Sequence, residues 1–123
     1  MPGKETTGVG IAVAYHRAWT AGDLDSAAKH LTENVTCHAP SGTFSGRAAV
    51  RAFMEPFAAS LTHSTLLAAY GNDSEAILMY DTATSAVPSA PGAELYRIQN
   101  DRIAEIHIIF DRLPFALARG DVG

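Results

Sequence analysis

Near the end of the chain, two polar residues interrupt an apolar run. They are His107 and Asp111 in IAEIHIIFDRLPF, residues 103 to 115. Side chains alternate along a β-strand, so residues four apart share a face. An imidazole and a carboxylate so placed form either a catalytic pair inside a pocket or a polar seam on the far side of a sheet. Asp81 in AILMYDTA poses a similar question. A mid-strand carboxylate among apolar neighbours is costly unless paired, which makes it a site candidate. Its structural alternative is a partner such as Arg97 or His107 on a neighbouring strand. Its parity groups it with Ile77, Met79 and Ala83 and leaves the face open. Cys37 stands next to His38, but no third group orients the pair, and a strand cysteine of that kind reads as inert core. The five histidines show no metal spacing such as H-x-H or H-x₃-H with a third ligand, so no metal is expected. No glycine-rich phosphate loop follows a strand, so no nucleotide and no other cofactor is expected.

Bulk properties narrow the class. A chain of 123 residues suits one domain, 1–123, able to bury about two-thirds of the surface its unfolded form exposes. Composition is that of a globular protein, 47% hydrophobic and 18% charged. No stretch approaches the roughly 20 apolar residues of a membrane span. The start, MPGKETTGVG, lacks an apolar signal core, so the expected location is cytoplasmic. A single cysteine excludes an internal disulfide framework. The net charge of −4, with basic residues scattered, argues against nucleic acid as a partner.

The elements that must position these residues can be read in order. Residues 1–7 read as a loose end. A helical stripe over about 8 to 21 carries Ile11, Tyr15, Ala18 and Trp19. Gly22 ends that helix, and Asp23 caps a second over about 24 to 31. NVTCHAPSGTF reads as a strand, a turn and a short extended piece. A third helix opens at Ser45 and Gly46 with Val50, Phe53, Met54, Phe57 and Leu61 on one face; Pro56 should kink or break it. Four strands follow, at 62–70, 75–86, 94–99 and 102–110, joined by GND, PSAPG and ND. Short connections imply an antiparallel meander, and helices before strands imply an α+β fold. AILMYDTA and IAEIHIIF are apolar on both faces, unlike a half-exposed sheet. Helices cover one side. A second copy of the chain is the simplest cover for the other, so a homodimer is expected.

Two stretches carry a family resemblance: YHRAWTAGDLDSAAKHLTENVTCHAPSGTFSGRAAVRAFM and YRIQNDRIAEIHIIFD. The chain resembles the nuclear transport factor 2-like superfamily in its SnoaL-like or ketosteroid-isomerase-like branch. The resemblance implies a cystatin-like conical half-barrel: a curved antiparallel sheet, helices on its concave face, a deep apolar pocket between them, and dimerisation through the convex face. It is specific for fold and poor for function, since this fold hosts isomerases, cyclases, hydrolases, dehydratases and non-catalytic modules.

The resemblance also implies site residues. On the last strand, Ile106, Ile108 and Phe110 match pocket-facing positions, which turns His107 and Asp111 away. Ile108 stands where resembling cyclases and epoxide hydrolases act through an aspartate, so that machinery is missing. Tyr15 matches a tyrosine that donates to a developing enolate oxygen, a strong arrangement in a dry pocket. Glu94 falls near a carboxylic acid that assists that tyrosine, kept protonated by burial. Ala39 replaces the catalytic base, and neighbouring His38 is the nearest substitute. Trp19, Phe53, Phe57 and Tyr96 complete the expected pocket wall. Two functions are consistent with these residues. One is cofactor-free proton transfer next to a carbonyl, as an isomerase, cyclase or dehydratase, with Tyr15 holding the oxygen and Glu94, Asp81 or His38 as acid–base group. The other is a non-catalytic module that binds a small apolar ligand.

Overall fold

A computed structural model describes residues 7–120. Helix α1, Gly8–Thr20, begins where the Thr7 side chain accepts the Gly10 N–H at 2.9 Å. Thr7 is therefore a helix cap; the remainder of the expected loose end, residues 1–6, lies outside the described residues. The buried stripe of α1 is Ile11, Ala12, Tyr15, His16 and Trp19, the 3.6-residue periodicity of an amphipathic helix. Gly22 has φ +83°, a left-handed conformation suited to glycine. Helix α2, Leu24–Ala28, is capped by Asp23, whose carboxylate takes the Ser26 N–H and hydroxyl. It is shorter than expected because the His30 carbonyl already accepts the Ile103 N–H at 2.7 Å, drawing the chain into the sheet.

Strands β1 (Leu31–Ala39) and β2 (Gly42–Ser45) form a hairpin, followed by α3, Arg47–Ser60. Helix α3 runs through Pro56 rather than ending there. A proline deprives the helix of one backbone bond, and buried Val50, Met54 and Ala58 on both sides of it hold the helix to the sheet. Strands β3 (Leu61–Gly71), β4 (Glu75–Thr84), β5 (Ala90–Gln99) and β6 (Arg102–Phe110) form the meander, and α4 (Leu113–Arg119) ends the described chain. Asp111 accepts the Leu113 N–H at 2.9 Å at the entrance to α4. Strand β5 starts earlier than expected and includes Pro91. The β5–β6 ladder begins only at Gly92, so the missing proline N–H interrupts no pair there. Asn100 and Asp101, with φ +51° and +63°, make the two-residue turn into β6.

The six strands form one curved, unclosed sheet in the order β2-β1-β6-β5-β4-β3. One pairing departs from the expected antiparallel pattern: β1 lies parallel to β6. Helix α3 and the whole meander separate these two strands, so no tight turn dictates their direction.

The helices cover one face. Leu78, Tyr80 and Thr82 of β4, Glu94 and Tyr96 of β5, and Ile106 and Ile108 of β6 are buried there. In β6 the bulge opposite Arg97 and Ile98 changes the parity, so Ile103 is buried as well. The outer face carries Ile77, Met79 and Ile109, which are exposed. No helix of the described residues is long and apolar enough to cross a membrane.

Helix α1 and the β3–β4 turn meet at Gly8. A Cβ there would lie 2.1 Å from the Asn72 carbonyl oxygen, and that atom belongs to backbone. Gly8→Ala should lower stability by about 1–3 kcal/mol in urea denaturation; an unchanged midpoint would place α1 further from the turn.

Candidate functional site

The curvature of the sheet leaves a cavity of about 280 Å³ between its helix-covered face and the helices. Its apolar wall comes from Trp19 of α1, Phe53, Met54 and Phe57 of α3, and Ile108 and Phe110 of β6. Phe115 of α4 closes one side, its ring edge-on to Phe110 (5.8 Å between centroids) and to Phe57 (6.1 Å). Ser41, Arg112 and Arg119 contribute polar groups from exposed positions. On the sheet side lie three polar residues, Tyr80, Thr82 and Glu94. The Thr82 hydroxyl donates to the Ala90 carbonyl at 3.0 Å.

Glu94 dominates the electrostatics. It is 1% exposed. One carboxyl oxygen accepts the Tyr96 hydroxyl at 2.7 Å, and the other accepts the Tyr80 hydroxyl. Burial pushes its pKa up, and the two phenol hydrogen bonds draw it only part of the way back. Burial first, and the neighbouring Glu94 charge second, hold Tyr15, Tyr80 and Tyr96 well above the ordinary tyrosine range, so all three keep their protons.

The Tyr80 ring is seated by its neighbours. It stands opposite Gly92 in the β4–β5 ladder, where a Cβ would lie 3.2 Å from the ring. Glycine at that position lets the phenol lie across β5 and reach Glu94. On the helix side, His16 and Trp19 lie 4.8 and 5.9 Å from the ring. Burial, with Arg17 as a lesser cause, lowers the His16 pKa to about 4, so its imidazole is neutral. His16 Nδ1 and Trp19 Nε1 are buried without a hydrogen-bond partner.

The sequence-predicted residues divide between the two faces. Glu94, Trp19, Phe53, Phe57, Ile108 and Phe110 meet at the cavity. Tyr96 and Ile106 are buried beside it and do not line it. Tyr15 is also buried, edge-on to Tyr96 at 5.9 Å, but it sits one helical turn before Trp19 and does not reach the cavity wall. The tyrosine that lines the cavity is Tyr80. Asp81 lies on the outer side, where it accepts the Ser89 hydroxyl and the Ala90 N–H at 2.9 and 3.0 Å and pins the β4–β5 loop. His38 also faces outward, stacked on His107 with centroids 4.5 Å apart. Strand parity turns both away from the cavity. Reading the sequence missed Tyr80, although it shares parity with Leu78 and Thr82 and lies opposite a glycine.

Among the described residues that line the cavity, Glu94 is the one carboxylate, and none is a histidine or cysteine. The Cys37 thiol is buried and pushed up to about 12, which keeps it protonated and inert.

A profile of the SnoaL-like domain matches residues 12–106. Among solved structures, a protein from Kribbella flavida DSM 17836 is 48% identical, with a TM-score of 0.91 over 94% of this chain and 96% of that one. A protein from Silicibacter pomeroyi DSS-3 described as having a cystatin-like fold is 17% identical, with a TM-score of 0.77 over 89% and 79%. A second Kribbella flavida protein, provisionally named a ketosteroid isomerase, is 13% identical, with a TM-score of 0.73 over 85% and 77%. The last two likenesses concern fold alone. No curated protein sequence matches the chain.

The raised Glu94 pKa has a signed consequence for stability. The native state holds the Glu94 proton more tightly than the unfolded chain does, so the stabilisation from the neutral carboxyl is full below about pH 4.5. It is lost as pH rises through the raised value. Glu94→Gln should remove this loss, so that its stability gains on wild type as pH increases above 4.5 in denaturant titrations. Parallel stability–pH curves for the two proteins would contradict a raised Glu94.

Proposed function

The chain belongs to the SnoaL-like domain family, and we propose that it is a small enzyme that moves a proton next to a carbonyl group in a compact apolar compound, without a cofactor. The observation that carries this reading is a nearly unexposed carboxyl group, held by two tyrosine hydroxyls, at the wall of an otherwise apolar cavity. A carboxyl whose pKa burial raises suits an acid–base group, because its ionised form accepts a proton more readily and its protonated form can return it.

Ionised Glu94 takes a proton from the carbon beside the carbonyl, and the electron pair moves to the carbonyl oxygen. Once protonated, the carboxyl binds Tyr80 less strongly. The Tyr80 hydroxyl is then free to donate to the enolate oxygen as charge develops there. Such a donor in a water-poor site contributes strongly, because nothing competes for the oxyanion. Return of the proton to the same carbon gives exchange; return to another carbon of the conjugated system gives isomerisation. Trp19, Phe57 and Phe110 exclude water and hold an apolar body.

The test is proton–deuterium exchange, followed by NMR, on a panel of cyclic ketones. Wild type should exchange above the buffer rate, and Glu94→Gln should lose about 100-fold or more. Tyr80→Phe should lose about 100- to 1,000-fold, while Tyr15→Phe should retain most of the rate. Ketones that bind without any exchange above buffer would favour the non-catalytic binding module instead.

A second reading concerns assembly. Ile109 of β6 is 72% exposed and Tyr70 of β3 74%, with Ile77 and Met79 of β4 between them. We infer that a second copy of the chain covers this outer face, because contiguous apolar surface of this kind marks an interaction site. Light scattering after size exclusion should give a dimer for wild type and a monomer for Ile109→Lys; a monomeric wild type would refute it.

A further inference from the structure

On the outer face, away from Glu94, three side chains converge from two strands. The parallel pairing of β1 with β6 sets His38 beside His107, and Glu105 precedes His107 by two residues on the same face. One Glu105 carboxylate oxygen, Oε2, lies 3.3 Å from His38 Nε2 and 3.4 Å from His107 Nε2. One ligand atom from each of the three residues falls within a single group, all within 4.8 Å of one another. We propose that these residues form a binding site for a zinc-type divalent cation, with His38 Nε2, His107 Nε2 and Glu105 Oε2 as ligands and a fourth position that none of the three fills.

The two distances from Glu105 to the imidazoles fit the chemistry. With zinc–nitrogen and zinc–oxygen bonds of about 2.0–2.2 Å at tetrahedral angles, neighbouring donor atoms stand about 3.3–3.5 Å apart. Two imidazoles and one carboxylate favour zinc over magnesium, which prefers oxygen ligands. The outer atoms of the ligands are also held. His38 Nδ1 lies 3.3 Å from the Thr43 hydroxyl, which leaves Nε2 for the ion. Arg97 Nε donates to the other Glu105 oxygen at 3.0 Å and is itself anchored to Glu75 at 2.7 Å. Such outer contacts orient the ligands. In the single chain all three ligating residues are partly exposed, so an ion can reach them before a second copy covers this face.

Spacing along the chain concealed this site and led to the expectation of no metal. Glu105 and His107 alone make two ligands, and the third comes from a residue 67 positions earlier, brought in by the β1–β6 ladder.

A shared proton between carboxylate and imidazole would hold the same geometry, and metal titration separates the two. Untagged full-length protein, stripped with chelator and dialysed, is titrated calorimetrically with zinc chloride. The same protein is titrated with cobalt(II) and followed by visible absorption. We expect one zinc per chain, a tetrahedral cobalt spectrum and no comparable magnesium binding. His38→Ala, His107→Ala and Glu105→Gln should each weaken zinc at least about 10-fold, with circular dichroism unchanged. Absence of saturable zinc binding would overturn the proposal. So would affinity unchanged in the His38→Ala/His107→Ala double variant, which would assign the zinc to other surface groups.

Discussion

The site depends on one costly arrangement: a carboxyl group taken almost entirely out of water. Isolated burial of a carboxylate is strongly unfavourable, and the fold answers it with two phenol donors, one on each oxygen of Glu94. Each tyrosine needs its own support. Tyr96 is flanked by Tyr15, and Tyr80 lies over the glycine at 92 with His16 and Trp19 against its ring. Helix α1 therefore acts on the carboxyl indirectly, by holding the aromatic groups that bind it. Losing one of these donors would leave a buried oxygen unsatisfied, at a cost of about 1–3 kcal/mol.

Strand alternation lets the same strands build two chemically different faces. In β6, Ile106, Ile108 and Phe110 turn towards the helices, while Glu105, His107 and Ile109 turn outward. In β4, Tyr80 and Thr82 face the cavity, while Ile77, Met79 and Asp81 face away. A one-residue slip in either strand would exchange the two faces. The bulges keep this sorting compatible with curvature, since an extra residue bends a strand and resets parity locally. The apolar inner wall and the ionic cluster outside are thus two results of one register.

Local chemistry made several elements legible. The Ile11–Tyr15–Trp19 stripe, the Asp23 cap and the Asn100–Asp101 turn each follow from residue type and nearest spacing. Parity on the last strand was legible as well, with His107 turned outward; Asp111 lies past the strand, at the entrance to α4. What could not be read was the relation between elements far apart in the chain. Tyr15 and Trp19 share a helix face, yet only Trp19 borders the cavity, because the boundary is drawn by where α1 crosses β4 and β5. Asp81 had two possible faces until its strand was placed between β3 and β5. Tyr80 looked like an ordinary strand aromatic until Gly92 was set opposite it.

The amino-acid sequence by itself determined the order of helices and strands, the α+β class and the apolar character of the helix-facing wall, because these arise from short-range periodicity and turn chemistry. Tertiary structure alone decided that Tyr80 rather than Tyr15 stands at the cavity with Glu94, and that His38 meets Glu105 and His107. Both outcomes rest on pairing between strands, β4 with β5 and β1 with β6, whose registers are set by packing across the whole sheet and not by neighbours along the chain.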